Sequence, residues 1–415
     1  MMKYFYRLAV FLVSLILPLL AVFDSKVNRF VLGRRDLIDR LKAFRIKNSG
    51  QLFWFHVASL GEYEQAKPLI SLCKEKYPDS LVAVSFFSPS GYEPTIKKDQ
   101  KDVDFISYLP LDRKKWANEF VGLLNPEIAF FVKYDLWFEH ISALKARNIP
   151  TYLVCALFRP NQQYFTSNGF FRKILLQMDH IFTQDQESIK LLESIGYDQA
   201  TKAGDTRFER VWENAQSPKL FPQIANWLGK RDTIVLGSVW EEDMEILYPL
   251  INSHPDYRWI IAPHDLNGES MRKWAKRIHL QSDFYTSGGL NNAPKVLFLD
   301  TIGMLSSVYQ FAKIAYVGGA FGSGLHNILE PIGFGVPVIF GKVRHASKFP
   351  EAKLSISNGC GFQVENVAEL RSVFEALKSG EKYEVTSAAA ANWVKDNLGA
   401  SRKIFEKIDQ IRNEL

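Results

Sequence analysis

The run LFWFHVASLGE, residues 52–62, decides how the first half of the chain folds. Its apolar part predicts a buried strand over Leu52–Ala58, and the stretch that follows predicts a helix over Tyr63–Lys76. Gly61 allows a tight turn between them, so Glu62 stands where a strand ends and a helix opens. A carboxylate there is predicted to face a ligand cleft, although the same charge also complements the helix macrodipole without further function.

The same alternation of apolar runs and amphipathic stretches continues along the chain and pauses over residues 210–231, where polar residues and prolines cluster. It predicts two successive doubly wound α/β domains, each with a parallel sheet covered by helices on both faces. The predicted strands are Leu52–Ala58, Leu81–Phe87, Val103–Leu109, Ile128–Tyr134, Thr151–Leu157 and His180–Thr183, then Thr233–Leu236, Arg258–Ala262, Val296–Leu299, Ile314–Val317 and Pro337–Phe340. The predicted helices are Tyr63–Lys76, Arg113–Leu123, Leu136–Arg147, Phe170–Met178, Glu241–Ser253, Gly268–His279, Gly303–Phe311 and His326–Gly333.

These patterns set the expected domain boundaries. Residues 48–212 form a first Rossmann-like domain, and residues 213–399 form a second. Residues 1–47 precede them as a separate segment, and residues 400–415 form a final helix that packs back on the first domain. Because ligands of doubly wound domains bind at the carboxyl ends of the strands, we expect the two domains to face a cleft.

Basic charge is concentrated in residues 1–47. This segment has ten Lys or Arg residues and three Asp residues, a net charge of +7, whereas the whole chain has +6. An enzyme that binds nucleic acid would carry cations over its body, so the distribution indicates an anionic membrane surface instead. The cations expected on that surface include Arg29, Arg34, Arg35 and Arg40.

An apolar run, Leu8–Phe23, precedes most of that charge and predicts a membrane-anchor helix. Ala21, Val22 and Phe23 make a poor signal-peptidase site, and the cations that follow favour a cytoplasmic body by the positive-inside rule. We therefore expect the protein at the cytoplasmic face of the inner membrane. The sequence leaves open whether this helix crosses the membrane, lies in one leaflet, or is an ordinary buried helix.

A glycine-rich segment, VGGAFGSGLHNILEP over residues 317–331, indicates a ligand site in the second domain. It follows a predicted strand, and we place the start of the next helix near His326 and Asn327, where exposed backbone N–H groups hold a phosphate. Glu330, one turn later, has the spacing to accept both hydroxyls of a ribose. A glycine-rich loop alone is a weak signal, but the added His, Asn and Glu favour a nucleotide site over a plain turn.

Two other strand ends are predicted to lie beside this segment. Leu236-Gly237-Ser238 ends the first strand of the second domain, and Ala262-Pro263-His264-Asp265 ends the next. His264 is therefore placed to contact a phosphate, although a single histidine at a strand end often has only a structural role.

Cysteine usage and acidic motifs give no sign of a metal. Cys73, Cys155 and Cys360 are widely spaced, with no CxxC motif, which indicates neither a disulfide framework nor a zinc site. No DxD motif stands at a predicted strand end. A reducing compartment and a metal-free site fit best.

Several of these motifs, taken in order, resemble the 3-deoxy-D-manno-octulosonic acid (Kdo) transferases. The stretch WFHVASLGE at residues 54–62 is similar to the hallmark of that family, and further similar segments cover essentially the whole chain. These segments are Tyr134–Trp137, Gly204–Phe208, Leu299–Gly303, Gly318–Pro331 and Pro337–Gly341. The resemblance implies a GT-B type glycosyltransferase, with two Rossmann-like domains facing a cleft and an N-terminal membrane-anchor helix.

The resemblance also implies an inverting transfer of Kdo from CMP-Kdo to a lipid A precursor (lipid IVA), in lipopolysaccharide core synthesis, with no metal or other cofactor. Glu62 is the implied general base, and Arg159 or Arg207 would bind the Kdo carboxylate or the transition state unless each only forms a surface ion pair. The implied catalytic residues are Glu62, Asp135, Arg159 and Arg207. The implied donor site comprises Gly237, Ser238, Pro263, His264, Ile302, Gly303, Met304, Gly319, His326, Asn327, Ile328, Leu329 and Glu330.

The chain departs from the family pattern at four of these positions. Asp135 stands where members usually have Glu, and His264 where an Arg is common. Met304 replaces a frequent Glu, which removes a polar contact to CMP. Arg159 lies near, but one place off, an arginine that orients the transferred sugar.

Two other functions stay open on the sequence alone. One is a GT-B glycosyltransferase or a sugar-nucleotide epimerase that uses a UDP-sugar. The other is a non-catalytic membrane-bound protein, for which Glu62 would be dispensable.

Overall fold

The computed structural model describes residues 2–98, 100–167, 169–288, 290, 293–322, 324–344 and 348–414. Ser323 of the glycine-rich segment lies outside these residues. The chain divides into two compact units, which we call unit 1 (Met1–Arg210 with Gly399–Leu415) and unit 2 (Val211–Leu398).

Unit 1 is built on a parallel sheet. Its strands are β1 (Leu52–Val57), β2 (Leu81–Phe86), β3 (Phe105–Tyr108), β4 (Ile128–Val132), β5 (Thr151–Ala156), β6 (His180–Thr183) and β7 (Ala200–Lys202). They lie in the order β3-β2-β1-β4-β5-β6-β7. Every residue of β1 and β4 is buried, which explains why these strands are apolar on both faces. Aromatic rings make much of this core, and Phe55 stacks on Phe130 with ring centroids 4.6 Å apart.

Helices cover both faces of this sheet. They are α1 (Met2–Leu20), α2 (Ser25–Leu32), α3 (Leu37–Lys47), α4 (Leu60–Lys76), α5 (Pro89–Ile96), α6 (Lys114–Leu124), α7 (Phe138–Lys145), α8 (Gln163–Thr166), α9 (Phe170–Leu175) and α10 (Gln186–Glu193). The next helix, α11 (Arg207–Gln216), contains the boundary between the units.

Unit 2 repeats the plan. Its strands are β8 (Thr233–Val239), β9 (Arg258–Pro263), β10 (Ser282–Phe284), β11 (Val296–Phe298), β12 (Ile314–Val317), β13 (Val338–Gly341) and β14 (Gly361–Val364), in the order β10-β11-β9-β8-β12-β13-β14. Its helices are α12 (Pro222–Leu228), α13 (Glu241–Ser253), α14 (Gly268–Arg277), α15 (Leu305–Val308), α16 (Leu329–Gly333), α17 (Pro350–Ser357), α18 (Val367–Leu377) and α19 (Glu381–Asp396), with 3₁₀ turns at Tyr285–Ser287 and Tyr309–Phe311. Both sheets are parallel throughout the described pairs, which confirms the predicted pair of doubly wound α/β folds.

The last helix, α20 (Ala400–Asn413), belongs to unit 1. Its Ile404, Phe405 and Ile408 side chains are buried in the core of that unit. Glu209 fixes its start, because the carboxylate accepts hydrogen bonds from the Ser401 N–H (2.9 Å) and the Ser401 hydroxyl.

The N-terminal helix α1 lies along unit 1. The Tyr6 hydroxyl donates to Asp112 (2.5 Å), and the Arg7 guanidinium pairs with Glu139 (2.5 Å). Large apolar side chains remain exposed on its outer face, including those of Phe5, Leu8, Leu15 and Leu19. By length and composition α1 could cross a membrane.

The structure corrects three features of the predicted layout. Strands β7, β10 and β14 were not predicted, since they are short, each includes partly or fully exposed residues, and they lack an apolar run. The expected pause over residues 210–231 contains α12 and part of α11. The helix placed from His326 begins only at Leu329.

Candidate active site

The four candidate catalytic residues all follow carboxyl ends of strands in the unit 1 sheet. Glu62 follows β1, Asp135 follows β4, Arg159 follows β5 and Arg207 follows β7. Carboxyl ends of parallel strands meet at one edge of a sheet, and β1, β4 and β5 are direct neighbours. The structure therefore places Glu62, Asp135 and Arg159 along the same edge.

Glu62 is half-buried in the first turn of α4. Its carboxylate folds back on the strand end and accepts the Ala58 N–H at 2.5 Å. Burial, together with the negative charge of Asp135, raises the pKa of Glu62 above its ordinary value, against the opposing effect of the Ala58 hydrogen bond. A carboxylate with a raised pKa is a stronger base when ionised, as removal of a proton from a sugar hydroxyl requires.

A buried histidine, for which no role was predicted from the sequence, supports this site. His56 of β1 contacts Asp135 through Nε2 (2.9 Å) and Ser85 of β2 through Nδ1 (2.9 Å). Because Ser85 Oγ already accepts the Trp54 indole N–H (2.8 Å), its own hydrogen is available for His56 Nδ1. A neutral His56 would then carry its proton on Nε2 and donate it to Asp135. The hint available in the sequence was a polar residue inside an apolar strand.

The two candidate arginines differ in their surroundings. Arg207 pairs with Asp205 (2.8 Å), so the surface ion pair allowed by the sequence is present, although both side chains are mostly buried. Burial opposes ionisation of Asp205, but the charge and hydrogen bonds of Arg207 outweigh it and lower the pKa of Asp205. Arg159 is half-buried, and its backbone N–H donates to the Gln162 side chain (2.9 Å).

In unit 2 the glycine-rich segment lies against the end of β8. The Gly318 N–H donates to the Gly237 carbonyl (2.9 Å), as expected from neighbouring strands β8 and β12. A side chain at Gly237 would collide with the Tyr309 hydroxyl, and Gly319 has a φ of +94°. Ser238 also has a positive φ, +53°. Both glycines are thus required by geometry.

A buried carboxylate holds this loop. Asp243 of α13 accepts hydrogen bonds from the Gly319 N–H (2.9 Å), the Trp240 N–H (2.9 Å) and the Tyr316 hydroxyl (2.9 Å). Burial raises the pKa of Asp243, and the three hydrogen bonds act in the opposite direction. Asp243 was not predicted from the sequence, where its signal was an acidic residue at the third position of a helix.

Three aromatic rings stack beside the loop. His264, after β9, lies between Trp240 (centroids 4.4 Å apart) and His326 (4.3 Å). The Trp240 indole donates to His326 Nε2 (3.2 Å), so a neutral His326 carries its proton on Nδ1. Burial, with a smaller effect of His264, lowers the pKa of His326 to about 4. The strand end at His264 therefore lies beside the glycine-rich segment, as the sequence predicted.

The start of α16 differs from the expectation. Its first residue is Leu329, and the Asn327 side chain accepts the Leu329 N–H (3.2 Å) and donates to Glu330 (3.3 Å). Asn327 thus forms an Asx-type turn ahead of a helix of five residues whose N-cap is Ile328, and the expected exposed amides at His326 and Asn327 are not those of a helix start. The loop residues bend back instead, since the His326 N–H donates to the Gly318 carbonyl (3.2 Å).

The remaining donor-site candidates differ in accessibility. Ile302 is 82% exposed, and Gly303 has a φ of +88°, so the turn before α15 projects outward. Met304, Ile328 and Leu329 are buried, which leaves their side chains as packing residues. Pro263 is the buried last residue of β9. Across the described residues, no three His, Cys, Asp or Glu side chains converge as a metal site would require.

Comparisons with known proteins find similarity over most of the chain. Residues 35–210 match the family described as 3-deoxy-D-manno-octulosonic-acid transferase (kdotransferase). The 3-deoxy-D-manno-octulosonic acid transferase of Aquifex aeolicus is 28% identical over 348 residues, which cover 81% of this chain and 89% of the relative. Other proteins with that description are 24–26% identical.

Solved structures show the same fold. A UDP-N-acetylglucosamine 2-epimerase has a TM-score of 0.62 at 14% identity, covering 88% of this chain and 98% of its own. MurG of Acinetobacter baumannii has a TM-score of 0.56 at 12% identity, covering 87% and 99%. These similarities concern the fold alone, and they confirm two Rossmann-like domains of the GT-B type.

Proposed function

We propose, on the premise that the chain belongs to the Kdo transferase family, that it moves Kdo from CMP-Kdo to a lipid A precursor with inversion, in lipopolysaccharide synthesis. The proposal rests mainly on the position and environment of Glu62. This half-buried carboxylate has a raised pKa, stands at the carboxyl edge of the unit 1 sheet, and falls within the segment that matches the family.

Glu62 acts as the general base of this reaction. It takes the proton of an acceptor sugar hydroxyl while the oxygen attacks the anomeric carbon of Kdo, and the bond from that carbon to the CMP phosphate breaks. The oxygen enters opposite the leaving group, so the configuration inverts. The buried His56 holds Asp135 in place, and the charge of Asp135 contributes to the raised pKa of Glu62 and so to its basicity.

Unit 2 binds the nucleotide. His264 is exposed at the end of β9 and is a candidate for contact with the departing phosphate, while Asn327 and Glu330 are candidates for the ribose. Hydrogen-bond donors fixed before the reaction stabilise the charge that develops on the leaving group. Asp243 supports this role, because it holds the loop from within.

Replacing the base tests the proposal. Glu62→Gln should lower kcat by at least about a thousandfold, in the range that loss of general base catalysis allows, while CMP binding persists because the donor candidates lie in unit 2. Product mass after incubation with CMP-Kdo and tetraacylated lipid A precursor is the measurement. Glu75→Gln, an exposed substitution at the far end of α4, is the matched control.

Two outcomes would contradict the assignment. Near wild-type turnover by Glu62→Gln would show that another group removes the proton. Turnover of a UDP-sugar instead of CMP-Kdo by the unaltered protein would replace the proposed donor.

We also propose that transfer needs no metal. CMP carries a single phosphate, and the candidate contact for it is the exposed His264 side chain of unit 2. Activity in excess EDTA should equal that of the untreated enzyme. A loss of activity that magnesium or manganese restores would contradict this proposal.

The membrane is the proposed location of the reaction. Because α1 is fastened to unit 1 through both Tyr6 and Arg7, near its first turn, we propose that it lies in the cytoplasmic leaflet rather than crossing the bilayer. Its exposed outer residues, including Phe5, Leu8, Leu15 and Leu19, would then enter the lipid.

A further inference from the structure

A largely apolar cavity of about 840 Å³ lies between α1, α2 and the body of unit 1. Its volume falls within the roughly 300–1,000 Å³ typical of ligand pockets. The walls include Val10, Val13 and Leu17 of α1, Val27 and Phe30 of α2, and Trp137 from the segment after β4.

Polar contacts fasten the helix that closes this cavity. Asp112, at the edge of the cavity, is fully buried and accepts hydrogen bonds from the Tyr6 hydroxyl and from His140 Nδ1 (2.7 Å). It also accepts the backbone N–H groups of Glu139 (3.0 Å) and His140 (3.1 Å). Its carboxylate is therefore engaged, and the cavity offers a ligand mainly apolar surface.

The cavity wall is continuous with the segment that positions Glu62. Phe87 and Ser88 line the cavity, and their N–H groups donate to the carbonyls of Val57 (3.1 Å) and Ala58 (3.0 Å). Ala58 in turn donates to Glu62. On the other side, Phe87 stacks on Trp137 (4.6 Å), which stands two residues after Asp135. A ligand bound in the cavity would therefore contact Phe87 and Ser88, which are hydrogen-bonded to the strand end that positions the proposed base.

Exposed cations flank the cavity. Lys26 and Arg29 of α2 line it and are exposed, and the lining carboxylate of Glu93 is paired with Arg29 (3.1 Å). An apolar interior with cations at its edge matches a ligand that combines a hydrocarbon chain with an anionic head.

We propose that this cavity binds one fatty-acyl chain of the acceptor glycolipid. The identity of the glycolipid rests on the function proposed above. The bound chain places the sugar hydroxyl at Glu62, and Lys26 and Arg29 contact the anionic head group. The cavity thus makes acylation of the acceptor a determinant of its KM.

Photocrosslinking of the full chain tests this assignment without requiring turnover. The probe is a tetraacylated lipid A precursor with a diazirine near the end of one acyl chain, and the crosslinked peptides are mapped by mass spectrometry. Crosslinks should fall on α1, α2 and Phe87. Unlabelled tetraacylated precursor should compete, whereas the fully deacylated disaccharide and a bulk phospholipid at the same concentration should not.

A filled cavity supplies the second readout. Val10→Trp places an indole in the cavity and should lower crosslinking and raise KM for the tetraacylated acceptor at least about tenfold, with KM for the deacylated disaccharide unchanged. Leu12→Trp adds the same indole at an exposed position of α1 outside the cavity, and should keep both values.

The results separate the two proposals. Crosslinks elsewhere, equal competition by phospholipid, or an unchanged acylated-acceptor KM in Val10→Trp would each overturn the acyl site. Absence of CMP-Kdo-dependent product from the unaltered protein, with crosslinks in the cavity, would refute the transfer reaction while supporting the acyl site.

Discussion

A carboxylate that removes a proton from a sugar hydroxyl must be ionised and yet poorly solvated. The partial burial of Glu62 limits its solvation, and burial together with Asp135 raises its pKa, while the Ala58 hydrogen bond, Lys133 and His56 favour the ionised form. The shorter Asp135, in place of the Glu that the family resemblance implies, retains the negative charge. His56 fixes its position through a hydrogen bond of 2.9 Å.

The pH dependence of transfer should report this coupling. The proposed mechanism requires ionised Glu62, so activity should fall as the pH drops through its raised pKa. Asp135→Asn removes a negative charge that disfavours ionisation, and the acid limb of kcat/KM should therefore move to lower pH, whatever happens to the maximal rate. A pH profile of each variant gives the answer, with the exposed Asp79→Asn as control. An acid limb that stays in place or moves to higher pH would exclude this role of Asp135.

At the scale of elements, the candidate catalytic site of unit 1 and the candidate donor site of unit 2 are both formed by short connections that follow strands. Long apolar strands such as β1 and β4 were predictable because every residue is buried, and their carboxyl ends indicated Glu62 and Asp135. The partner of His56 was not predictable. Ser85 is 29 residues away and meets His56 only through the parallel register of β1 and β2, which no local pattern encodes.

The start of α16 shows a second limit of sequence reasoning. The pattern of His326, Asn327 and Glu330 fits a helix, yet the Asn327 side chain accepts the Leu329 N–H in a turn that precedes the helix. Asn favours such turns over the helix interior because its side chain competes for backbone N–H groups. The predicted helix start at His326 was therefore wrong, whereas the roles of His326, Asn327 and Glu330 in nucleotide binding stay predictions.

Two glycines with positive φ allow a matched test of the donor loop. Gly319→Ala meets the Gly324 carbonyl and the His326 ring, whereas Gly359→Ala, at a φ of +74°, meets no atom within 4 Å. Gly359→Ala should cost about 1 kcal/mol from backbone strain alone. Gly319→Ala should cost more, by at least about 2 kcal/mol, and should weaken CMP binding. Urea unfolding and calorimetric titration with CMP measure these effects, and equal costs at the two positions would contradict the close packing of the loop.

At the scale of the whole molecule, the basic N-terminal segment divides into cations that hold the fold and cations that face solvent. Arg34 donates to the carbonyls of Leu109 (2.8 Å) and Phe87 (2.8 Å), and its guanidinium lies over the Phe30 ring (3.6 Å). Arg34 therefore ties α2 to the sheet, contrary to the expected surface role. Arg40 also donates to a backbone carbonyl, that of Ile106 (2.9 Å).

The strength of membrane attachment should depend on the exposed cations of the N-terminal segment. Replacing Lys26, Arg35 and Lys47 together by Gln should weaken binding to anionic vesicles roughly a hundredfold and reduce its salt dependence, since each charge contributes about 1 kcal/mol. Arg34→Gln should instead lower the free energy of unfolding. Vesicle co-sedimentation and urea unfolding distinguish the two classes. Unchanged vesicle binding by the triple variant would mean that apolar insertion alone holds the protein.

The helix α20 gives unit 1 an unusual relation to the order of synthesis. Ile404, Phe405 and Ile408 belong to the core of that unit, yet they are made after all of unit 2. A ribosome therefore releases a complete second domain before the first has received its last core helix. Until α20 has been made, the surface of unit 1 that it covers in the folded protein, including the ring of Phe130 in β4, lacks its contact with Phe405. Of the two units, unit 1 therefore begins to emerge first but can complete its fold only after unit 2 has been made.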